Sequence, residues 1–182
     1  MSGIKGLVIL TRLDYIESNY GRDRLKEFFD KIKVDDQHPL NQPVIISKEY
    51  PEILLKNIDD LMVREYFNND PGPFLEIGHW NARHLMPRYF QIYIDEKNPQ
   101  GFLRQMVILR DVLIGLGDMH LVDLSEKSFL VHIHYGQPFL ESVRLSEWGF
   151  IVEGCRLCGA RNIRWEYLGS KDNAVEYQID WD

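Results

Sequence analysis

Cys155 and Cys158 are the only two cysteines of the chain, and they are spaced C-x-x-C. That spacing serves zinc sites and redox pairs alike. His132 and His134 form an H-x-H on a stretch that alternates apolar and polar residues. Together Cys155, Cys158, His132 and His134 would supply four zinc ligands of the right types. A third group is "HWNARH", in which His79 and Arg83, and Trp80 and His84, are four residues apart. On a helix such pairs are neighbours. H-E-x-x-H, G-x-S-x-G, Walker A and G-x-G-x-x-G are all absent from the sequence, so no complete catalytic constellation is legible and an enzyme is not expected.

Position decides what these groups can do. Leu140 to Cys158 reads as an amphipathic helix, with Pro138 at its favoured first turn. Leu145, Trp148, Ile151, Val152, Cys155 and Cys158 fall on its apolar stripe, and Ser142, Ser146, Gly149, Glu153 and Arg156 on the opposite one. Gly159 then stops the helix. Both thiols therefore point at a core, at a helix C-terminus, where thiolate is disfavoured. Ser128 to Tyr135 reads as a strand whose core face is Phe129, Val131, Ile133 and Tyr135. The histidines then point away from the cysteines, and no metal is expected.

Before that strand the pattern is helical: Leu7 to Tyr20, a second helix capped by Asp23, Pro51 to Phe67, Phe74 to Ile94 with a break at Pro87, and Pro99 to Leu116. In the third helix Ile53, Leu54, Ile58, Leu61, Met62 and Tyr66 are expected inside. Lys33 to Pro51 reads as a loop. After Gly117 the period becomes 2: Met119 to Leu124, Ser128 to Tyr135, Arg161 to Leu168, and a final strand with Val175, Tyr177, Ile179 and Trp181 on one face. The expected fold is α+β: an N-terminal helical part (1–117), then a β-β-α-β-β part (118–182) whose antiparallel sheet is covered on one side by the amphipathic helix, together one domain (1–182).

With 182 residues, 45% of them hydrophobic, the chain can bury a sizeable core. Its 28 acidic against 21 basic residues give a net charge of -7, which offers no general attraction for nucleic acid. No apolar run approaches the ~20 residues that span a bilayer, and Met1 to Gly6 is too short for a signal peptide. A cytoplasmic location and no membrane insertion are expected. Phe74, Trp80, His84, Tyr89 and Phe90 form an aromatic-rich helix that could line a pocket for a small apolar ligand.

The stretches "IKGLVILTRLDYIESNYGRDRLKEFF", "YPEILLKNIDDLM", "FLRQMVILRDVLIGLGDMHLVDL" and "GARNIRWEYLGSKDNAVEYQIDW" resemble a delta-proteobacterial family of unknown function, described as a Myxococcus paralogous family. More distantly the layout is similar to the ligand-binding superfamily of the haem nitric-oxide/oxygen sensors, the 4-vinyl reductase domains and the Bet3-type trafficking subunits. That similarity implies a pocketed α+β fold and a sensory or regulatory role. It also implies pairing with a second copy or with a partner protein. In the haem sensors a proximal histidine near the end of a long helix and a Tyr-x-Ser-x-Arg signature hold the haem. Around Asp111 to Gly115 this chain reads "DVLIG", and Tyr-x-Ser-x-Arg does not occur, so no cofactor is expected. In the 4-vinyl reductase type, zinc takes one cysteine at the helix end and two in the closing hairpin; those hairpin positions correspond to Tyr167 and Val175, which alternation places on the core face. The expected function is a non-catalytic regulatory module for a small ligand or a partner. The alternatives are a homodimeric interaction subunit and a haem- or zinc-dependent sensor.

Overall fold

The computed structural model describes residues 3–32, 38–95, 97–115 and 117–182, apart from the side chains of 111–113. The chain forms two compact units, Met1–Pro73 with Val112–Gly115, and Phe74–Asp111 with Leu116–Asp182.

In the first unit, β1 (Gly3–Lys5) pairs antiparallel with β2 (Glu49–Pro51), setting Ile4 opposite Tyr50. α1 (Gly6–Tyr20) follows at once. A Cβ on Gly6 would lie 2.2 Å from the Ile45 carbonyl oxygen, so the backbone can pass there only as glycine. α2 (Arg22–Ile32) contributes Phe28 to the core, and α3 (Glu52–Tyr66) contributes Leu54, Leu55, Ile58, Leu61 and Met62. α1 meets them with Ile9, Leu13 and Ile16. Inside this apolar set, Arg12 Nε lies 3.2 Å from Asp59 Oδ1, with both side chains buried.

Three expectations change here. α2 begins at Arg22, so Asp23 sits in its first turn rather than at its cap. Ile53 is exposed, and Leu55 holds an inward position in its place; the stripe 54, 55, 58, 61, 62 leaves residue 53 on the far side. The Lys33 to Pro51 stretch contains β2 and a 3-10 turn at Pro39–Asn41, while residues 33–37 lie outside the described set. Strands of three residues are too short for alternation to show.

In the second unit, α4 (Phe74–Tyr89) carries Pro87 in its last turn and gives way to a 3-10 turn at Gln91–Tyr93, so the helix ends short of Ile94. α5 (Pro99–Leu113) buries Phe102, Leu103, Met106 and Leu109. β3 (Asp118–Ser125), β4 (Ser128–His134), β5 (Arg164–Lys171) and β6 (Ala174–Asp180) form an antiparallel sheet in the order β3-β4-β6-β5. Its inner face is Phe129, Val131 and Ile133 against Val175, Tyr177 and Ile179, all buried. Both edge strands carry a register shift, at Asp123/Ser125 and at Tyr167/Gly169.

α6 (Glu141–Leu157) lies on that inner face, with the Trp148 ring stacked 3.8 Å from Tyr177. The spacing sets Ser142, Ser146, Gly149, Glu153 and Arg156 opposite the apolar stripe; Arg156 is exposed, yet the other four are buried. The cause is α4. A Cβ on Gly149 would meet the Leu75 carbonyl oxygen at 2.1 Å, and one on Gly78 would meet the Ser146 carbonyl oxygen at 2.1 Å. The two helices touch backbone to backbone, and the small side chains of α6 permit it. Pro138 does not open the helix, which starts at Glu141. Gly136, at φ +72, turns the chain, and the bend there brings Phe139 onto the Tyr135 ring at 4.9 Å.

Alternation correctly pairs Trp165 with Tyr167 on the inner face, but each is 39% exposed. β5 is an edge strand, so Tyr167 is not a core residue. Val175, one strand further in, is buried as expected. The closing turn is Asp172–Asn173, both at positive φ, and Gly169 sits in the bulge instead.

Candidate functional site

The densest chemistry in the second unit is a buried network on α5, α6 and the end of β4. Arg110 Nε donates to Glu147 Oε1 at 2.6 Å, and the Tyr135 hydroxyl donates to Glu147 Oε2 at 2.8 Å. Arg110 and Glu147 are each 1% exposed. The guanidinium also lies over the Tyr135 ring, 5.1 Å from its centroid, a cation–π contact strengthened by the dry surroundings. Burial, with the Glu147 carboxylate second, pushes the Tyr135 hydroxyl well above its ordinary value. Tyr135 therefore stays a neutral donor. The network offers no nucleophile; it fixes three elements around one charge pair. Nothing in the spacing of Arg110, Tyr135 and Glu147 along the chain announces it. The only available signal is Glu147 beside Trp148, within a turn of the helix's apolar residues.

A second group lies at the start of α6. Arg144 Nε donates to Glu141 Oε2 at 2.7 Å, and its guanidinium donates to the Tyr177 hydroxyl. It sits 4.6 Å from the centroid of the Tyr167 ring. The hydrogen bond to Glu141 raises the Arg144 pKa, and burial raises that of Tyr177.

Cys155 and Cys158 are both buried and unbridged. Cys158 Sγ lies 3.6 Å from the Tyr93 carbonyl oxygen. Burial pushes both thiols up, Cys155 further through the neighbouring Cys158. The native protein is expected to leave both thiols unmodified by Ellman's reagent at about pH 8 and to release two equivalents in denaturant; rapid native reaction would refute the buried assignment. The sign of the pH effect follows. Thiol and phenol pKa values raised in the folded state add stability that is complete below their unfolded values, roughly 8.5 and 10. That stability is lost as pH climbs toward the folded values.

His132 Nδ1 lies 2.9 Å from Glu176, and His134 Nδ1 3.9 Å from Asp118. Both are on the outer face of β4, opposite the face that α6 covers, so the four-residue set with Cys155 and Cys158 does not come together. Among the described residues no group of three or more His, Cys, Asp or Glu side chains could hold a metal ion.

The aromatic residues of α4 divide along the helix. Phe74 is fully buried. Trp80 stacks on His84 at 4.0 Å, and His84 Nδ1 lies 2.7 Å from the Trp80 carbonyl oxygen. Tyr89 and Phe90 meet edge to face at 6.5 Å beyond Pro87. His79 Nδ1 is 3.1 Å from Glu76, which Arg83 also holds. Arg83 reaches on toward Glu153 of α6 at 3.6 Å. Burial would raise the Glu76 carboxyl, but the hydrogen bonds from Arg83 and His79 outweigh it and hold it below its ordinary value.

Haem needs an axial ligand and cations for its propionates. Residues 111–115 hold no histidine. His120, His132 and His134 sit on the outer sheet face, His84 is turned back on its own helix, and His79 is held through Nδ1 by Glu76 while its Nε2 is buried without a hydrogen-bond partner among the described residues. The cations in the interior of the second unit, Arg110 and Arg144, are neutralised by Glu147 and Glu141. The thiols are held protonated. The donor set does not fit haem as those sensors bind it.

No protein-family model and no curated protein matches this chain. Solved structures do. The chain is similar to an oxygen-binding H-NOX domain related to soluble guanylate cyclases, in its oxygen complex, with 14% identity, 98% of this chain and 95% of that one covered, and a TM-score of 0.76. It is similar to a point mutant of the T. Tengcongensis H-NOX (15% identity, 98% and 97% covered, TM-score 0.74). A structure from work on haem distortion in the H-NOX family gives 14% identity, 98% and 95% coverage and a TM-score of 0.77. Over nearly its whole length, this chain has the α+β fold of the H-NOX domains.

Proposed function

We propose that the chain is a non-catalytic sensory or regulatory module that takes a small apolar or aromatic ligand in place of haem. One observation carries this reading: the fold correspondence with H-NOX domains runs through 98% of the chain, while residues 111–115 hold no histidine, Tyr-x-Ser-x-Arg is absent, and the interior cations Arg110 and Arg144 are already paired. Fold alone does not assign a function; the altered donor set supplies the argument for a different ligand. Phe74, Trp80, His84, Tyr89 and Phe90 are the proposed ligand-facing set, and Trp80, half-buried on His84, offers a ring face that a flat apolar molecule could replace or extend. The Myxococcus-type family resemblance is consistent with a cytoplasmic regulator. Among the described residues no helix is long and apolar enough to cross a membrane.

A second reading, a homodimeric interaction subunit, is favoured by the large apolar side chains left exposed at Ile92 and Ile108. Native mass spectrometry of the purified chain separates the two. A retained small molecule on a monomer, lost on Trp80→Ala, is the expected result. A ligand-free dimer would favour the second reading. Stoichiometric haem uptake from added haemin, abolished by His79→Ala, would overturn the first.

A further inference from the structure

We propose that a cleft in the first unit binds a small zwitterion that carries an aromatic ring, the chemistry of a free aromatic amino acid. The cleft has a volume of about 230 Å³. It lies where the last residue of α1, Tyr20, one face of α2, and the last two residues of α3, Glu65 and Tyr66, come together. Arg24, Glu27, Phe28 and Lys31 are spaced i, i+3, i+4 and i+7 along α2, so one helix face supplies all four.

The wall is aromatic. The Tyr20 and Tyr66 ring centroids are 4.4 Å apart, and the Phe28 ring lies 6.2 Å from that of Tyr66. Phe28 is buried and closes the floor, while Tyr20 is left exposed. A flat ring can stack on, or meet edge to face, a wall of this kind. The Tyr66 hydroxyl donates to the Arg24 carbonyl oxygen at 3.2 Å. That bond joins the end of α3 to α2, so the two sides of the cleft are held before a ligand arrives, which lowers the cost of binding.

The rim is charged, and its charges balance. Arg24 donates to Glu27 at 2.7 Å, and Lys31 pairs with Glu65. Two cations and two carboxylates leave no net charge, so a plain anion or a plain cation is repelled by one pair of groups as it is drawn to the other. A molecule with both an ammonium and a carboxylate satisfies both. The planar fork of Arg24 suits the ligand carboxylate. Glu65 suits the ammonium, because its side chain is the least exposed of the four at 32% and its attraction is the least screened. Surface ion pairs are weak, so opening the two rim pairs costs little against the new charged hydrogen bonds. The volume is below the roughly 300 Å³ at which drug-sized sites begin, which limits the ligand to about one ring and a short polar end. The cleft uses none of the α4 aromatic residues, and the proposal is independent of the small-ligand reading.

Isothermal titration of the full chain with L-phenylalanine tests it. One molecule per chain is expected, with a dissociation constant on the order of 100 μM. Phenethylamine lacks the carboxylate, phenylacetate lacks the ammonium, and L-alanine lacks the ring; each should bind at least about tenfold more weakly. Tyr20→Ala, Arg24→Gln and Glu65→Gln should each weaken phenylalanine binding about tenfold or more. Arg24 faces solvent, so circular dichroism of Arg24→Gln should match the parent and separate lost binding from lost folding. Absence of saturable heat, phenethylamine or phenylacetate binding as well as phenylalanine, or binding unmoved by Arg24→Gln would overturn the proposal.

Discussion

Arg110→Met is expected to lower the unfolding free energy by about 3–5 kcal/mol. The substitution keeps an unbranched, though shorter, side chain and removes its charge. Glu147 then stays at 1% exposure with only the Tyr135 hydroxyl as a strong donor. A buried carboxylate without its cation costs far more than the pair is worth, because much of the loss is desolvation left uncompensated. The double variant Arg110→Met with Glu147→Gln tests the cause. Glutamine keeps an acceptor for Tyr135 and carries no charge, so most of the loss should return. Urea denaturation of the four proteins in the cycle gives the coupling energy. If Arg110→Met alone cost less than about 1 kcal/mol, the network would have to be solvated, and its role in fixing α5, α6 and β4 would fall.

The second large effect is at Gly149. In an exposed helix interior, Gly→Ala stabilises by about 1 kcal/mol. At Gly149 the sign should reverse, with a net loss of about 2–3 kcal/mol, and Gly149→Val should cost more. The new Cβ would sit 2.1 Å from the Leu75 carbonyl oxygen and 3.1 Å from the Gly78 Cα. Backbone cannot step aside as a side-chain tip can, so α4 and α6 must separate along their contact. Gly136→Ala is the control. Nothing lies within 4 Å of its Cβ position, and only its φ of +72 opposes alanine, by about 1–2 kcal/mol. Thermal melts of the three variants rank them. A stabilised Gly149→Ala would show that the close helix contact is wrong.

These sites explain what could be read from the sequence and what could not. Alternation located β3, β4 and β6 and put Phe129, Val131, Ile133, Val175, Tyr177 and Ile179 inside, because an inner sheet strand imposes period 2 on its side chains. It also put His132 and His134 outside, away from the thiols. It could not say that β5 is an edge, since strand order is a property of pairing between distant segments; hence Tyr167 reads as core and is not. α6 misleads for another reason. Ser142, Ser146, Gly149 and Glu153 look like a solvent face, but small residues also mark a helix that another helix approaches closely. Hydrophobicity cannot separate the two cases. The Arg110–Glu147–Tyr135 network was hidden by the same rule, because charge reads as exposure unless its partner is known. β1 and β2 were invisible for lack of length. Phe74, Trp80, His84, Tyr89 and Phe90 read alike in the sequence, yet their division into one core residue and two ring pairs depends on tertiary packing that spacing does not carry.

The register shifts at the two sheet edges bear on how this chain behaves in a crowded solution. An open four-stranded sheet ends in two rows of unpaired N–H and C=O groups, and a regular row is a template for another sheet. Here the bulge at Asp123/Ser125 breaks one row and the bulge at Tyr167/Gly169 breaks the other. Each locally increases strand twist and interrupts the spacing that a docking strand would need. Fibrillar growth through either edge is thereby disfavoured, even though Trp165 and Tyr167 leave aromatic surface beside one of them. A second copy that joins this chain is thereby steered toward side-chain contacts rather than toward extending the four-stranded sheet.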